Sequence, residues 1–187
     1  MSTDYIYEQQ ITIPEDCQLI LEDKTITVSG PKGSLARTFP EPQTTIRLED
    51  KELIVTTNIK RKKARALVGT VVAHVRNMFI GVQHGYKYEM KIVYSHFPIT
   101  IEVQDKEVII KNFIGERGLR RARVIGDVSI ETTEDEVIIS GIDIEHVSQT
   151  AANIQLATKI RDKDRRVFLD GIYVIRKTKG ESVKSIV

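Results

Sequence analysis

Short runs of alternating apolar and polar residues, broken by Gly, Pro and acidic turns, fill the first third of the chain. Ile11–Pro14 opens a strand and a turn, and Gln18–Leu21 with Thr25–Ser29 predicts a hairpin around Glu22-Asp23-Lys24. Gly30-Pro31-Lys32-Gly33 is the next turn, Leu35–Phe39 resumes the strand pattern, and Pro40 and Pro42 end it. Thr44–Leu48 and Glu52–Thr56 form another strand pair about Glu49-Asp50-Lys51. The period then changes. Val68, Val71, Val72, Val75 and Phe79 fall at i, i+3, i+4, i+7 and i+11, the stripe of an amphipathic helix. Asn58 is its candidate N-cap, and Gly81 and Gly85 close it.

The same order then recurs. Asp23–Val28 finds its counterpart in Asp105–Ile110, Gly33 in Gly115, Asp50–Val55 in Glu134–Ile139, Asn58 in Asp143, and Gly85 in Gly171. The offsets widen slowly from 82 to 86, as short loop insertions would make them, so the chain reads as one unit written twice. In the second copy Val147, Ala151, Ile154 and Ala157 give a narrower helical stripe, and the apolar run Ile172–Ile175 follows the turn dipeptide Asp170-Gly171. The expected fold class is α+β: a tandem duplication of a small antiparallel or mixed sheet packed with one helix, over residues 1–82 and 83–187. Each half is near the lower size limit for an independent core.

Bulk composition narrows the classes. At 187 residues with 41% apolar and 29% charged content, the chain is globular and not disordered. It has no apolar run long enough for a membrane helix, and its first residues lack the layout of a signal peptide. A single Cys17 forms no internal disulfide and no cysteine-based zinc site, which fits a cytoplasmic setting.

Charge changes the picture. The net charge is only +2, but Lys60–Arg65, Lys111–Arg123 and Lys159–Lys179 together hold eighteen basic and four acidic residues. Such segregation creates a local positive field that the total conceals. In Lys111–Arg123, Gly115 and Gly118 permit a tight loop, Phe113 offers a ring, and Arg117, Arg120, Arg121 and Arg123 offer forked bonds to phosphate oxygens. Lys159–Lys179 carries Lys159, Arg161, Lys163, Arg165, Arg166, Arg176, Lys177 and Lys179 about Phe168 and Tyr173. Fixed cations on a folded frame suit a folded polyanion, because each neutralised phosphate releases counterions. A solvated charged surface is the plain alternative. Lys60–Arg65 places its cations at the start of the first helix, where the macrodipole disfavours them.

Other chemistry finds little support. Gly30-Pro31-Lys32-Gly33-Ser34 lacks the spacing of a phosphate loop and is followed by strands. His74, His84, His96 and His146 show neither helical i, i+4 pairing nor cysteine neighbours, so no metal site is expected. No nucleophile elbow appears, so no catalytic residue and no cofactor is assigned.

The runs NFIGERGLRRARVIGDV (Asn112–Val128), GIDIEHVSQTAANI (Gly141–Ile154) and KDRRVFLDGIYVIRK (Lys163–Lys177) closely resemble ribosomal protein six of the large subunit, in its archaeal and eukaryotic branch. VSGPKGSL (Val28–Leu35), VGTVVAHVRNMFIGV (Val68–Val82) and VYSHFP (Val93–Pro98) extend the likeness through the first half. The resemblance implies a duplicated fold, and a structural constituent of the large subunit with no enzymatic activity. It also implies binding to large-subunit ribosomal RNA, chiefly through the second copy and near the sarcin–ricin region, where translation factors dock. Contacts carried across by motif are Lys111, Asn112, Gly115, Arg117, Arg120 and Arg121, then Lys163, Arg165, Arg166, Tyr173 and Lys177. The implied partners are ribosomal RNA and neighbouring ribosomal proteins, with the chain a monomer in the ribosome and no membrane. Eukaryotic members, numbered nine, carry a lysine-rich insertion and a Trp pair ahead of the first helix. Here Leu48–Arg65 is short and Trp is absent, as in an archaeal or reduced version. Two other classes stay open on the residues alone: an RNA-binding adaptor outside the ribosome, and a hydrolase or transferase with a dispersed site.

Overall fold

A computed structural model of the chain describes residues 7–40, 42–161, 163–164 and 166–186. The chain divides into two compact units, one ending at His84 and one beginning at Gly85. The break falls two residues beyond Val82 because the first helix runs on through Gln83.

The first unit contains β1 (Tyr7–Thr12), β2 (Gln18–Glu22), β3 (Thr25–Gly30), β4 (Gly33–Thr38), β5 (Thr45–Glu49), β6 (Glu52–Thr57) and α1 (Lys62–Gln83). Its strands form two antiparallel sheets, ordered β1-β6-β5 and β2-β3-β4. Alternation decides which face is buried: Ile26 and Val28 of β3 and Leu53 and Val55 of β6 are wholly enclosed. The stripe Val68, Val71, Val72, Val75 and Phe79 covers them, joined by Met78 and Val82. Each such enclosed side chain contributes about 1.5–3 kcal/mol. The N-cap of α1 is Arg61, which makes no side-chain cap bond, and not Asn58; three further residues reach the helix from the end of β6. Its far end is better tied. Lys32 N donates to Val82 O at 2.9 Å, the Lys32 ammonium bonds His84 O, and Gly30 lies so close that a Cβ would come within 2.7 Å of Val82. Gly30-Pro31-Lys32-Gly33 is therefore a hairpin turn that also closes a helix.

The second unit contains β7 (Tyr86–Val93), β8 (Thr100–Gln104), β9 (Glu107–Lys111), β10 (Arg120–Arg123), β11 (Ser129–Thr132), β12 (Glu136–Gly141), α2 (Ile144–Ala157), β13 (Gly171–Lys179) and β14 (Ser182–Ser185). One antiparallel sheet runs β11-β12-β7-β13-β14 and the other β10-β9-β8. Strand for strand, β7, β12 and β11 repeat β1, β6 and β5, while β8, β9 and β10 repeat β2, β3 and β4. The duplicated α+β fold is thus present, with β13 and β14 added on the open side of β7. The apolar segment after the first helix belongs to this sheet as its central strand.

The copies part at two places. Thr25 faces Thr38 in the first hairpin, and Glu107 faces Arg123 in the second, so between equivalent pairs the second hairpin holds three more residues. By this register Gly33 corresponds to Gly118 and not to Gly115, which lies in the added loop. Secondly, α2 has 14 residues against 22 in α1. Asp143 caps it by accepting from Glu145 N at 2.8 Å, with Glu145 complementing the dipole. The chain freed by the shorter helix becomes the basic segment that leads into β13.

Candidate nucleic-acid interface

Consecutive strand residues point to opposite faces, and β10 uses this to divide its arginines. Arg120 lies opposite Ile110, beside the buried Ala122, whereas Arg121 faces Ile109 and Arg123 faces Glu107. Arg120 is engaged within the chain. Its Nε and Nη2 donate to the two Glu116 oxygens at 2.9 and 2.6 Å, and its Nη1 donates to Ala157 O at 2.9 Å and Lys159 O at 3.2 Å. Its Cζ sits 4.2 Å from the centre of the Phe113 ring. The carbonyls at a helix C-terminus lack partners and carry the negative end of the dipole, so a guanidinium there satisfies both demands. The same hydrogen bonds hold the Glu116 carboxyl below the usual carboxylate range. Arg120, expected as a phosphate contact, fastens β10 to the end of α2 within the chain.

Lys111 at the end of β9 and two residues of the loop after it also have internal duties. Lys111 pairs with Glu102, and the Asn112 amide donates to Pro98 O at 3.0 Å from a left-handed backbone, φ 58°. Gly115 sits at φ 71°, where a Cβ would press within 3.0 Å of the Phe97 ring. Arg117 and Arg123 are exposed, with no side-chain partner among the described residues. Arg121 reaches Glu107 at 3.2 Å, but both groups are well exposed, and such pairs contribute little.

The segment after α2 adds Lys159 and Arg161, both exposed and without a described side-chain partner. Lys163 lies 5.1 Å from the centre of the Phe168 ring. Arg166 is held by Asp164, two residues away, at 2.8–3.2 Å; this lowers the carboxyl's pKa and largely cancels the local charge. Arg165 lies outside the described residues. Asp170 is 5% exposed and accepts from Ser95 N at 3.0 Å, which anchors the turn into β13.

In β13 the basic run is split by the pleat. Arg176 stands opposite Glu89 and pairs with it at 2.9 Å, while Lys177 stands opposite Tyr88 and lies 5.0 Å from that ring's centre. Tyr88 is buried and Glu89 partly so, which puts the two cations on opposite faces of the sheet. Lys179 follows opposite Tyr86. All three cations are residues of the strand itself.

What converges is the first two groups. The bond from Arg120 to Lys159 O brings the β9–β10 loop against the start of the second basic segment. Arg121 and Arg123 line a groove with Gln149, Asn153 and Leu156 of α2, and Asn153 Nδ2 donates to Arg123 O at 2.8 Å. Leu156 also borders a second cleft, shared with Lys159, Phe168 and Tyr173. One continuous strip therefore runs from the β10 cations across the end of α2 to Lys159. Gln149, Asn153 and Leu156 went unnoticed in the sequence. The available signal was Leu156, an apolar side chain off the Val147–Ala151–Ile154 stripe and 63% exposed.

The Lys60–Arg65 cluster belongs to the first unit, where Arg65 Cζ lies 4.4 Å from the centre of the Tyr7 ring. Among the described residues no group of His, Cys, Asp and Glu could hold a metal ion. No described helix is long and apolar enough to cross a membrane.

Comparison with known proteins bears on the same two units. The family model described as Ribosomal protein L6 matches twice, over residues 13–85 and 97–171. The large ribosomal subunit protein uL6 of Staphylothermus marinus is 51% identical over 91% of this chain and 94% of its own length. The uL6 proteins of Aeropyrum pernix and Desulfurococcus amylolyticus are 46% and 45% identical, over 93% and 94% of the chain and 96% of their own lengths. One model met once in each unit, and archaeal relatives aligned along nearly the full length, lead to one conclusion: the chain belongs to the ribosomal protein L6 family of the large ribosomal subunit.

Proposed function

We propose that this chain is a structural component of the large ribosomal subunit that grips ribosomal RNA with its second unit, close to the sarcin–ricin region where translation factors dock. The family is one of structural ribosomal proteins and not of enzymes. The observation that carries the RNA reading is that exposed Arg123 and Lys159, neither paired to a described residue, line the two clefts that meet at Leu156, with the equally exposed and unpaired Arg117 and Arg161 on the same two basic segments. The bonds of Arg120 serve the fold, and they also hold two basic segments side by side. That arrangement suits RNA, because affinity for a polyanion grows with each phosphate neutralised at once. The likeness to the family supports the location. In this reading the first unit is a brace against neighbouring ribosomal proteins, and the chain works as a monomer on cytoplasmic ribosomes.

The test is co-sedimentation of the full chain with large subunits. Replacing Arg117, Arg123, Lys159 and Arg161 together by Glu removes the protein from the subunit fraction while its unfolding curve stays unchanged. Undiminished co-sedimentation contradicts the proposal.

A further inference from the structure

The cleft bordered by Leu156 is unlike the open groove beside it. It encloses about 290 Å³, near the lower end of volumes that hold a small ligand, and its walls include the rings of Phe168 and Tyr173. Both walls are set in place. The Tyr173 hydroxyl donates to Asp170 O at 3.2 Å, and its ring lies against Gly171, where a Cβ would come within 2.7 Å of it. On the helix side Gln155 lines the cleft, and its Oε1 accepts from Val174 N at 3.2 Å, which holds the amide in place. The rim is cationic: Lys159 lines the cleft, and Lys163 sits 5.1 Å from the centre of the Phe168 ring.

Resting on the RNA reading above, we infer that this cleft takes a single unstacked base of the bound RNA. The base would be held by the Phe168 and Tyr173 rings and read at its edge by the Gln155 amide, with its phosphates met by Lys159 and Lys163. An aliphatic side chain of a protein neighbour would be content with any apolar wall and has no use for an amide donor or two ammonium groups. A base uses all three, and single-stranded bases splayed onto aromatic side chains are the usual targets of sequence-specific RNA recognition. The aromatic walls also explain why Phe168 is drawn in among the surrounding charges and only partly exposed.

The test uses the full chain with deproteinised large-subunit ribosomal RNA as the probe. Ultraviolet cross-linking followed by peptide mass spectrometry places nucleotide adducts on the peptide carrying Phe168 and Tyr173. The substitution Phe168→Leu weakens binding by roughly fivefold or more, as the loss of a base–aromatic stack does, and Phe168→Tyr restores it. Neither change alters the slope of affinity against salt, because no phosphate contact is lost. If the unaltered chain binds this RNA but Phe168→Leu binds equally well and adducts fall only on residues 117–123, the cleft serves another guest and the inference fails alone. A protein side chain cross-linked to Tyr173 in intact subunits would have the same meaning. Should Phe168→Leu be unfolded by circular dichroism, the adduct map of the unaltered chain decides. Failure of the unaltered chain to bind the RNA overturns both this inference and the reading beneath it.

Discussion

Arg120 Nη1 donates to Ala157 O across 37 residues of sequence, joining the loop of one sheet to the last turn of α2. The guanidinium is three things at once: a helix cap, an ion-pair partner for Glu116, and a flat lid on Phe113. Arg120→Ala removes all three and leaves carbonyls unpaired, so the second unit loses about 1–3 kcal/mol. Urea unfolding followed by circular dichroism measures the loss. Arg120→Lys recovers little of it, because an ammonium cannot reach two carbonyls and a carboxylate in one plane. The distinction matters for charge-reversal experiments. A set that includes Arg120 tests folding together with binding, and only a set without it tests binding alone.

Glu116 supplies the acid dependence of this anchor. Its hydrogen bonds from Arg120 hold the carboxyl below its ordinary value of 4.5 in the folded chain. A carboxyl lowered in this way stabilises the fold at neutral pH, and that contribution fades as the pH drops below the ordinary value and through the folded one. The carboxylate is well exposed, so the effect is small. Unfolding midpoints measured from neutral pH into the acid range fall slightly less for Glu116→Gln than for the natural chain.

Two glycines in one loop behave oppositely. Gly115 is left-handed and pressed on Phe97, so Gly115→Ala costs about 1–2 kcal/mol and disturbs the approach to Arg117. Gly118 has nothing within 4 Å of a would-be Cβ and no positive φ, so Gly118→Ala is tolerated or mildly stabilising. Thermal melts of the two variants separate them.

Asp170 orders the entry to β13 from a buried position. Asp170→Ala leaves Ser95 N without its acceptor and costs about 1–3 kcal/mol. Asp170→Asn keeps an oxygen in the same place and retains most of that. The pair is compared by denaturant unfolding.

The helices and the duplication were legible because both rest on local periodicity. The stripe from Val68 to Phe79 is buried as its spacing requires, and Asp143 is the cap that its residue type suggests. Asn58 failed as a cap because cap preference is local, whereas the start of α1 is set by the length of chain from β6. The register shift that pairs Gly33 with Gly118 was hidden, since Gly115 offers an equally good match by eye. The basic segments were visible as composition but not as geometry. Nothing near Arg120 in sequence reveals that its acceptors lie 37 and 39 residues on, at the end of a helix. Arg176 and Lys177 read as neighbours, yet a strand turns neighbours away from each other. Arg166 was the exception, for Asp164 stands two places before it and the pairing was there to be read.

The most direct measurement is the slope of log affinity against log salt for deproteinised large-subunit ribosomal RNA. The natural chain is compared with a variant in which Arg117, Arg123, Lys159 and Arg161 are all replaced by Gln. If these four hold phosphates, the slope becomes shallower by roughly 0.7–0.9 for each contact removed, while the unfolding curve is unmoved. An identical slope in the two proteins contradicts the account.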